Sequence, residues 1–199
     1  MADPATSNGR DLNLNLVLKQ LGFWSAILTA VFAVGFLVIG IFGTPYTVFI
    51  PYPYVPSFFN PIDYIWLYPA FLLAPVFLVL MACIHYYASN EKKVFSLIGL
   101  SFALIYATVI TADYFIQWTV VLPRILSGET GNLSLFTQYN HHGLFVALES
   151  LGYLMMNLAL LFAVAVFSGG RLERAIRWLI HNNFCSGDWI FYRYFFSEV

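Results

Sequence analysis

Charge is what this chain has least of. Only 10% of its 199 residues are Asp, Glu, Lys or Arg, whereas 60% are hydrophobic. A soluble domain carries about 25% charged residues because its surface must face water. Most of this surface has no such requirement, so the chain belongs in lipid. The net charge of −1 leaves no basic face for nucleic acid. Cysteine is nearly missing too. Cys83 and Cys185 form no C-x-x-C pair, which excludes thioredoxin-like redox chemistry and four-cysteine zinc sites. Both lie on the side assigned below to the cytoplasm, where thiols stay free. No G-x-x-x-x-G-K-[ST], G-x-G-x-x-G or G-x-S-x-G occurs, so nucleotide handling and elbow-type hydrolysis have no visible basis. No cofactor is implied. With four histidines in all, the repeated clusters of a membrane di-iron oxygenase are absent.

What is present is hydrophobic length. A membrane helix needs about 20 mostly apolar residues to cross roughly 30 Å of hydrocarbon. Four runs meet that test: Gly22 to Phe42, about Tyr64 to Tyr87 with Pro69 and Pro75 inside, Val94 to about Leu122, and Gly143 to Ser168. Backbone groups in lipid must bond within their own segment, and none of the runs alternates as a barrel strand would. The expected fold is therefore all-α: an integral membrane four-helix bundle over 22–168. A cytoplasmic N-terminal segment, 1–21, precedes it, and a cytoplasmic or interfacial tail, 169–199, follows. The first run is too long for the h-region of a signal peptide and reads as an anchor that stays.

The basic residues orient the bundle. Arg10, Lys19, Lys92, Lys93, Arg171, Arg174, Arg177 and Arg193 all fall in one set of loops, and only Arg124 in the other. This positive-inside bias places both termini in the cytoplasm of a multi-pass cell-membrane protein. The third run has no row of arginines, which excludes a voltage sensor.

The loops differ in character. Thr44 to Ile62 holds five prolines among tyrosines and phenylalanines, so it should be extended and stiff. It reads as an aromatic belt at the headgroups or as a lid over the outer mouth. The second outer loop, Ile125 to Asn140, is polar. Its Asn132-Leu133-Ser134 is a glycosylation acceptor only in a eukaryotic secretory pathway. In the tail, Leu172, Ala175, Ile176, Leu179 and Ile180 oppose three arginines, as in a helix lying in the interface. Trp189 to Phe196 is too short to span. The stretches Ala112-Asp113-Tyr114-Phe115-Ile116-Gln117, Thr137 to Gly143 and Ala147-Leu148-Glu149 resemble an uncharacterised prokaryotic multi-pass membrane family. The resemblance covers under half the chain and carries no activity. It implies that the ending after Asn182 is unlike a native continuation, with a later helix lost.

Chemistry, if any, concentrates in the outer half. An ionisable residue inside a span costs roughly 2.5–3.5 kcal/mol at the helix centre. Asp113 lies about 28 Å along the third helix, and Glu149 about 9 Å into the antiparallel fourth. At 100° per residue, Tyr106, Asp113, Gln117 and Arg124 share one face. His142, Glu149, Tyr153 and Met156 share another, with Gly152 alongside and Asn157 further round, nearer mid-membrane. Polar residues so aligned should face the bundle interior. They suggest one pocket built from Tyr106, Asp113, Gln117, His142, Glu149, Tyr153 and Asn157. The bland alternatives are glue between helices and, for Asp113, a charge at the interface. His141 and His142 point about 100° apart on a helix, which argues against a metal site. The pair would instead cap the start of the fourth helix. On the first helix, Ser25, Thr29 and Ala33 form a small ridge for close packing, within the bundle or against another copy.

Three readings follow. The chain binds or moves a lipid-like or small hydrophobic molecule in the polar pocket. It is an accessory or structural subunit, paired with itself or with a membrane complex. Or it is a small enzyme using the carboxylate pair on a lipidic substrate. The first is preferred.

Overall fold

The computed structural model describes residues 4–42, 61–129, 131, 133–140, 142–167 and 178. Among these the chain is helical, with no strand. The proline-rich loop as far as residue 60, His141, Asn132 of the glycosylation triplet, Cys185 and the tail beyond Phe167 (Trp178 excepted) lie outside the described residues.

Five α-helices are present: α1 (Pro4–Phe42), α2 (Leu67–Tyr87), α3 (Lys93–Ile116), α4 (Leu122–Leu126) and α5 (Leu144–Val164). A π-helical turn, Gln117–Val121, joins α3 to α4 without a break in the helix. Four segments are long and apolar enough to cross a membrane: Leu14–Gly40, Leu67–Tyr87, Asn90–Leu126 and Leu144–Val164. They coincide with the four expected runs, with two differences. Helix α1 begins at Pro4, because helical hydrogen bonding continues into the polar residues that precede the hydrocarbon segment. The third helix extends to Leu126, because the π turn accommodates an extra residue instead of ending it.

The packing order follows the chain. α1 lies on α2, α2 on α3 and α3 on α5, whereas α2 and α5 touch little. The α3–α5 seam is built from small residues. Gly99, Ala103 and Ala107 recur every fourth position on α3, and Ala103 is fully buried. Gly152, Ala159 and Ala163 are buried on α5. A Cβ on Gly152 would sit 2.5 Å from Ile110 Cδ1, and one on Gly99 would sit 3.0 Å from the Ala159 carbonyl oxygen. Lipid tails are as apolar as leucine, so close backbone approach is what holds two such helices together.

Helix α1 approaches α2 through small residues as well. A Cβ on Gly22 would lie 3.5 Å from Cys83 Cβ, and one on Gly35 3.7 Å from Pro69 Cβ. Ser25 is buried, and its hydroxyl donates to the Gly22 carbonyl oxygen at 3.0 Å. The expected ridge on α1 therefore begins in a contact inside the bundle. In α2, Leu67, Ala70, Ala74, Phe77 and Met81 point inward at intervals of three to four residues. Pro75, inside the helix, is on the exposed side. At the end of the bundle that carries the α2–α3 turn, here the lysine end, His85 Nδ1 and Ser96 Oγ are 2.8 Å apart. Lys92 Nζ donates to the Val166 carbonyl oxygen at 3.0 Å.

Candidate functional site

The polar residues of the spans gather at the other end. Along α3 and the π turn, Tyr106, Ile110, Tyr114, Gln117 and Val121 recur at intervals of three to four with Asp113 beside Tyr114, and all are at most 2% exposed. This face meets α5 in a constant antiparallel register. Tyr106 opposes Tyr153, with ring centroids 6.4 Å apart. Ile110 fills the space above Gly152, and Tyr114 reaches Glu149.

Tyr114 is the centre of the arrangement. Its hydroxyl donates to Glu149 Oε1 at 2.9 Å and lies 3.3 Å from the Tyr153 hydroxyl. Its ring is held by aromatic side chains from two other elements. Trp66 meets it edge-on at 5.6 Å, and Phe145 is tilted against it at 6.0 Å. Trp66 also contacts Phe36 of α1 at 5.6 Å, and Phe36 in turn reaches Tyr153 at 6.4 Å. One aromatic frame thus ties α1, the start of α2, α3 and α5 around a single hydroxyl.

The segment after α4 folds across this end and is fastened by two side-chain amides. Gln117 Nε2 donates to the Phe136 carbonyl oxygen at 2.9 Å. Trp66 Nε1 donates to Gln138 Oε1 at 3.0 Å. Leu133, Thr137 and Tyr139 of this segment are buried, and Asn140 Nδ2 donates to the Ser134 carbonyl oxygen at 2.8 Å. The stretch read as a polar outer loop is, over 133–140, a packed cover.

Two acceptors beneath it are left over. Asp113 Oδ2 and Gln117 Oε1 are buried without a hydrogen-bond partner. They stand one turn apart on the same helix face, and Asp113 is within electrostatic reach of Glu149. Buried polar atoms are hydrogen-bonded in the great majority of cases, and each exception asks for a cause such as a ligand or water. The π turn begins at Gln117, and single π turns inside α-helices recur at functional sites.

The structure thus brings together five of the seven residues that sequence periodicity grouped: Tyr106, Asp113, Gln117, Glu149 and Tyr153. It does not bring His142, which is exposed and donates its backbone N–H to Asn140 Oδ1 at 3.0 Å. Of the two histidines expected to cap α5, His141 lies outside the described residues. The N-cap of α5 is Gly143, and the turn before it is closed by Asn140, which accepts from the His142 and Gly143 backbone N–H groups. Asn157 is half-buried, two turns further along α5 than Glu149. Arg124 also leaves the face. It lies 3.7 Å from Glu129 and donates to the Gly131 carbonyl oxygen at 3.1 Å. The extra residue of the π turn rotates everything beyond it by about 100°. Asp113 itself faces the bundle core at 2% exposed, not an interface where a charge would be cheap.

Three residues that matter here escaped the sequence: Tyr114, Trp66 and Gln138. Tyr114 had a signal, since it completes the inward series from Ala103 through Ala107 and Ile110. Trp66 and Gln138 had none, because they are neighbours only through the fold. Among the described residues, no three His, Cys, Asp or Glu side chains converge as a metal site would require. Comparison of the chain with known protein families, with curated proteins and with solved structures found no match in any of the three.

Proposed function

We propose that this chain is a multi-pass membrane protein that binds a small amphipathic, lipid-like molecule at the Asp113–Tyr114–Gln117–Glu149–Tyr153 cluster. The observation that carries the reading is the pair of buried acceptors, Asp113 Oδ2 and Gln117 Oε1, that no protein group satisfies. An unmet acceptor in a dry interior costs about 1–3 kcal/mol. A fold carries two of them side by side at lower cost if a ligand supplies the donors. The occupant has a hydroxyl-bearing head, which donates to Gln117 Oε1 and either donates to or accepts from the Asp113 carboxyl. The aromatic frame around Tyr114 offers flat apolar surface to the rest of it. By the positive-inside bias the cluster lies in the outer leaflet, with both termini in the cytoplasm.

Native mass spectrometry of the purified protein tests the reading, with wild type beside Glu149→Gln. The expected result is a defined small-molecule adduct on wild type that is lost or weakened in the variant. The same bulk lipid on both, or none on either, would defeat it.

One observation favours a second reading. Only 6% of the apolar window of α1 is buried, and α1 packs almost wholly on α2. An accessory subunit would use this outer face of α1 against a partner helix or a second copy. In that case Glu149→Gln changes assembly and leaves bound small molecules alone.

A further inference from the structure

A cleft opens at the lysine end, between α1 and α5, which do not pack against each other there. It is a cleft of about 540 Å³, within the roughly 300–1,000 Å³ of small-molecule sites. Its walls are apolar: Phe23 of α1, Leu80 and Ile84 of α2, Leu160 and Ala163 of α5. The stretch from Leu160 to Phe167 runs about 10 Å along its length. Gly22 stands in the wall and leaves it without a side chain there. Among the described residues one charged group lines the cleft, Lys19, and no acid does. Lys19 is exposed and has no hydrogen-bond or ion-pair partner among the described residues. An unpaired cation at the rim of an apolar slot is complementary to one kind of molecule, an anionic head on a single hydrocarbon chain. The volume suits one chain better than the two of a phospholipid.

We infer that the α1–α5 cleft binds a single-chain anionic lipid, its carboxylate paired with Lys19 and its chain lying between α1 and α5. The site stands apart from the Asp113–Glu149 cluster, which lies at the opposite end and carries two acids and no cation. A lysine near the end of an apolar helix is also the group that reaches the interface by extending its stem along the apolar wall.

The test uses the full chain, delipidated in a neutral detergent, with oleate and oleyl alcohol as probes, titrated at low salt and followed by native mass spectrometry. Wild type should retain one oleate. Lys19→Gln should weaken it about tenfold or more, as loss of a charge-assisted bond does, and Lys19→Arg should restore it. Oleyl alcohol should bind more weakly than oleate, and equally to wild type and Lys19→Gln. Leu160→Trp, which fills the cleft, should remove oleate with no fall in melting temperature. Equal retention of oleate by wild type and Lys19→Gln, or of oleate and oleyl alcohol by wild type, would overturn the proposal. Lys19 is exposed and its replacement does not threaten the fold, so this arm decides the matter even if Leu160→Trp is unstable.

Discussion

Three hydroxyl or carboxyl groups, on Tyr114, Glu149 and Tyr153, depend on one another, and Tyr114 holds the other two. Removing its hydroxyl alone, by Tyr114→Phe, keeps the ring contacts with Trp66 and Phe145. It leaves Glu149 Oε1 without its donor. The expected loss is about 1 kcal/mol, between the small average for polar contacts in membrane bundles and the penalty for a stranded buried group. Thermal unfolding in detergent measures it. Tyr86→Phe, which gives up an exposed bond to Asn15, serves as the comparison and should shift the midpoint far less. At this scale much was legible beforehand. Helical periodicity set Asp113 and Gln117 on one face of the third helix and Glu149 and Tyr153 on one face of the fourth, and the regular α3–α5 seam buries Asp113 and Gln117 and brings Tyr114 to Glu149 and Tyr153. Tyr114 escaped because a tyrosine beside an aspartate reads as ordinary core, and only the opposing helix reveals what its hydroxyl meets.

Helices α3 and α5 meet through glycine and alanine, and the cluster's geometry rests on that approach. A side chain at Gly152 would run into Ile110. Gly152→Val should therefore destabilise the bundle by about 1–3 kcal/mol, the usual cost of overpacking. Ile110→Ala in the same chain should recover part of that loss, and a double-mutant cycle reads the coupling. The π turn makes a second prediction. Deleting Thr119, an exposed residue within it, should restore a plain α-helix and turn α4 by about 100°. The cover at 133–140 would then lose its seat, and amide exchange of Thr137 and Tyr139 should accelerate while that of α2 stays as it was. The four spans could be read from hydrophobic length. The π turn could not, since Gln117 to Val121 differs in no evident way from its flanks. It is also why Arg124, in register on paper, sits elsewhere.

Among the described residues four helices long and apolar enough to cross a membrane pack in the order α1–α2–α3–α5. The charge bias that orients them concerns water and headgroups, which helix packing does not report, so orientation needs its own measurement. Single cysteines at Glu91 and Glu129, both exposed, in a chain with Cys83 and Cys185 replaced, should label from opposite faces of intact cells. The cysteine of Glu129→Cys should react with an impermeant maleimide and that of Glu91→Cys only after permeabilisation. Labelling of both from outside would break the four-span arrangement.

The central claim is that Asp113 and Gln117 are kept unsatisfied for the sake of an occupant, and Asp113→Leu asks this directly. Leucine nearly matches aspartate in shape and removes the buried orphan oxygen. If the claim holds, the lipid-stripped variant melts higher than wild type, by the equivalent of about 1–3 kcal/mol, while it loses the bound small molecule. If Asp113 serves only to hold helices together, the variant melts lower and whatever co-purifies is unchanged, and that pair of results would contradict the account.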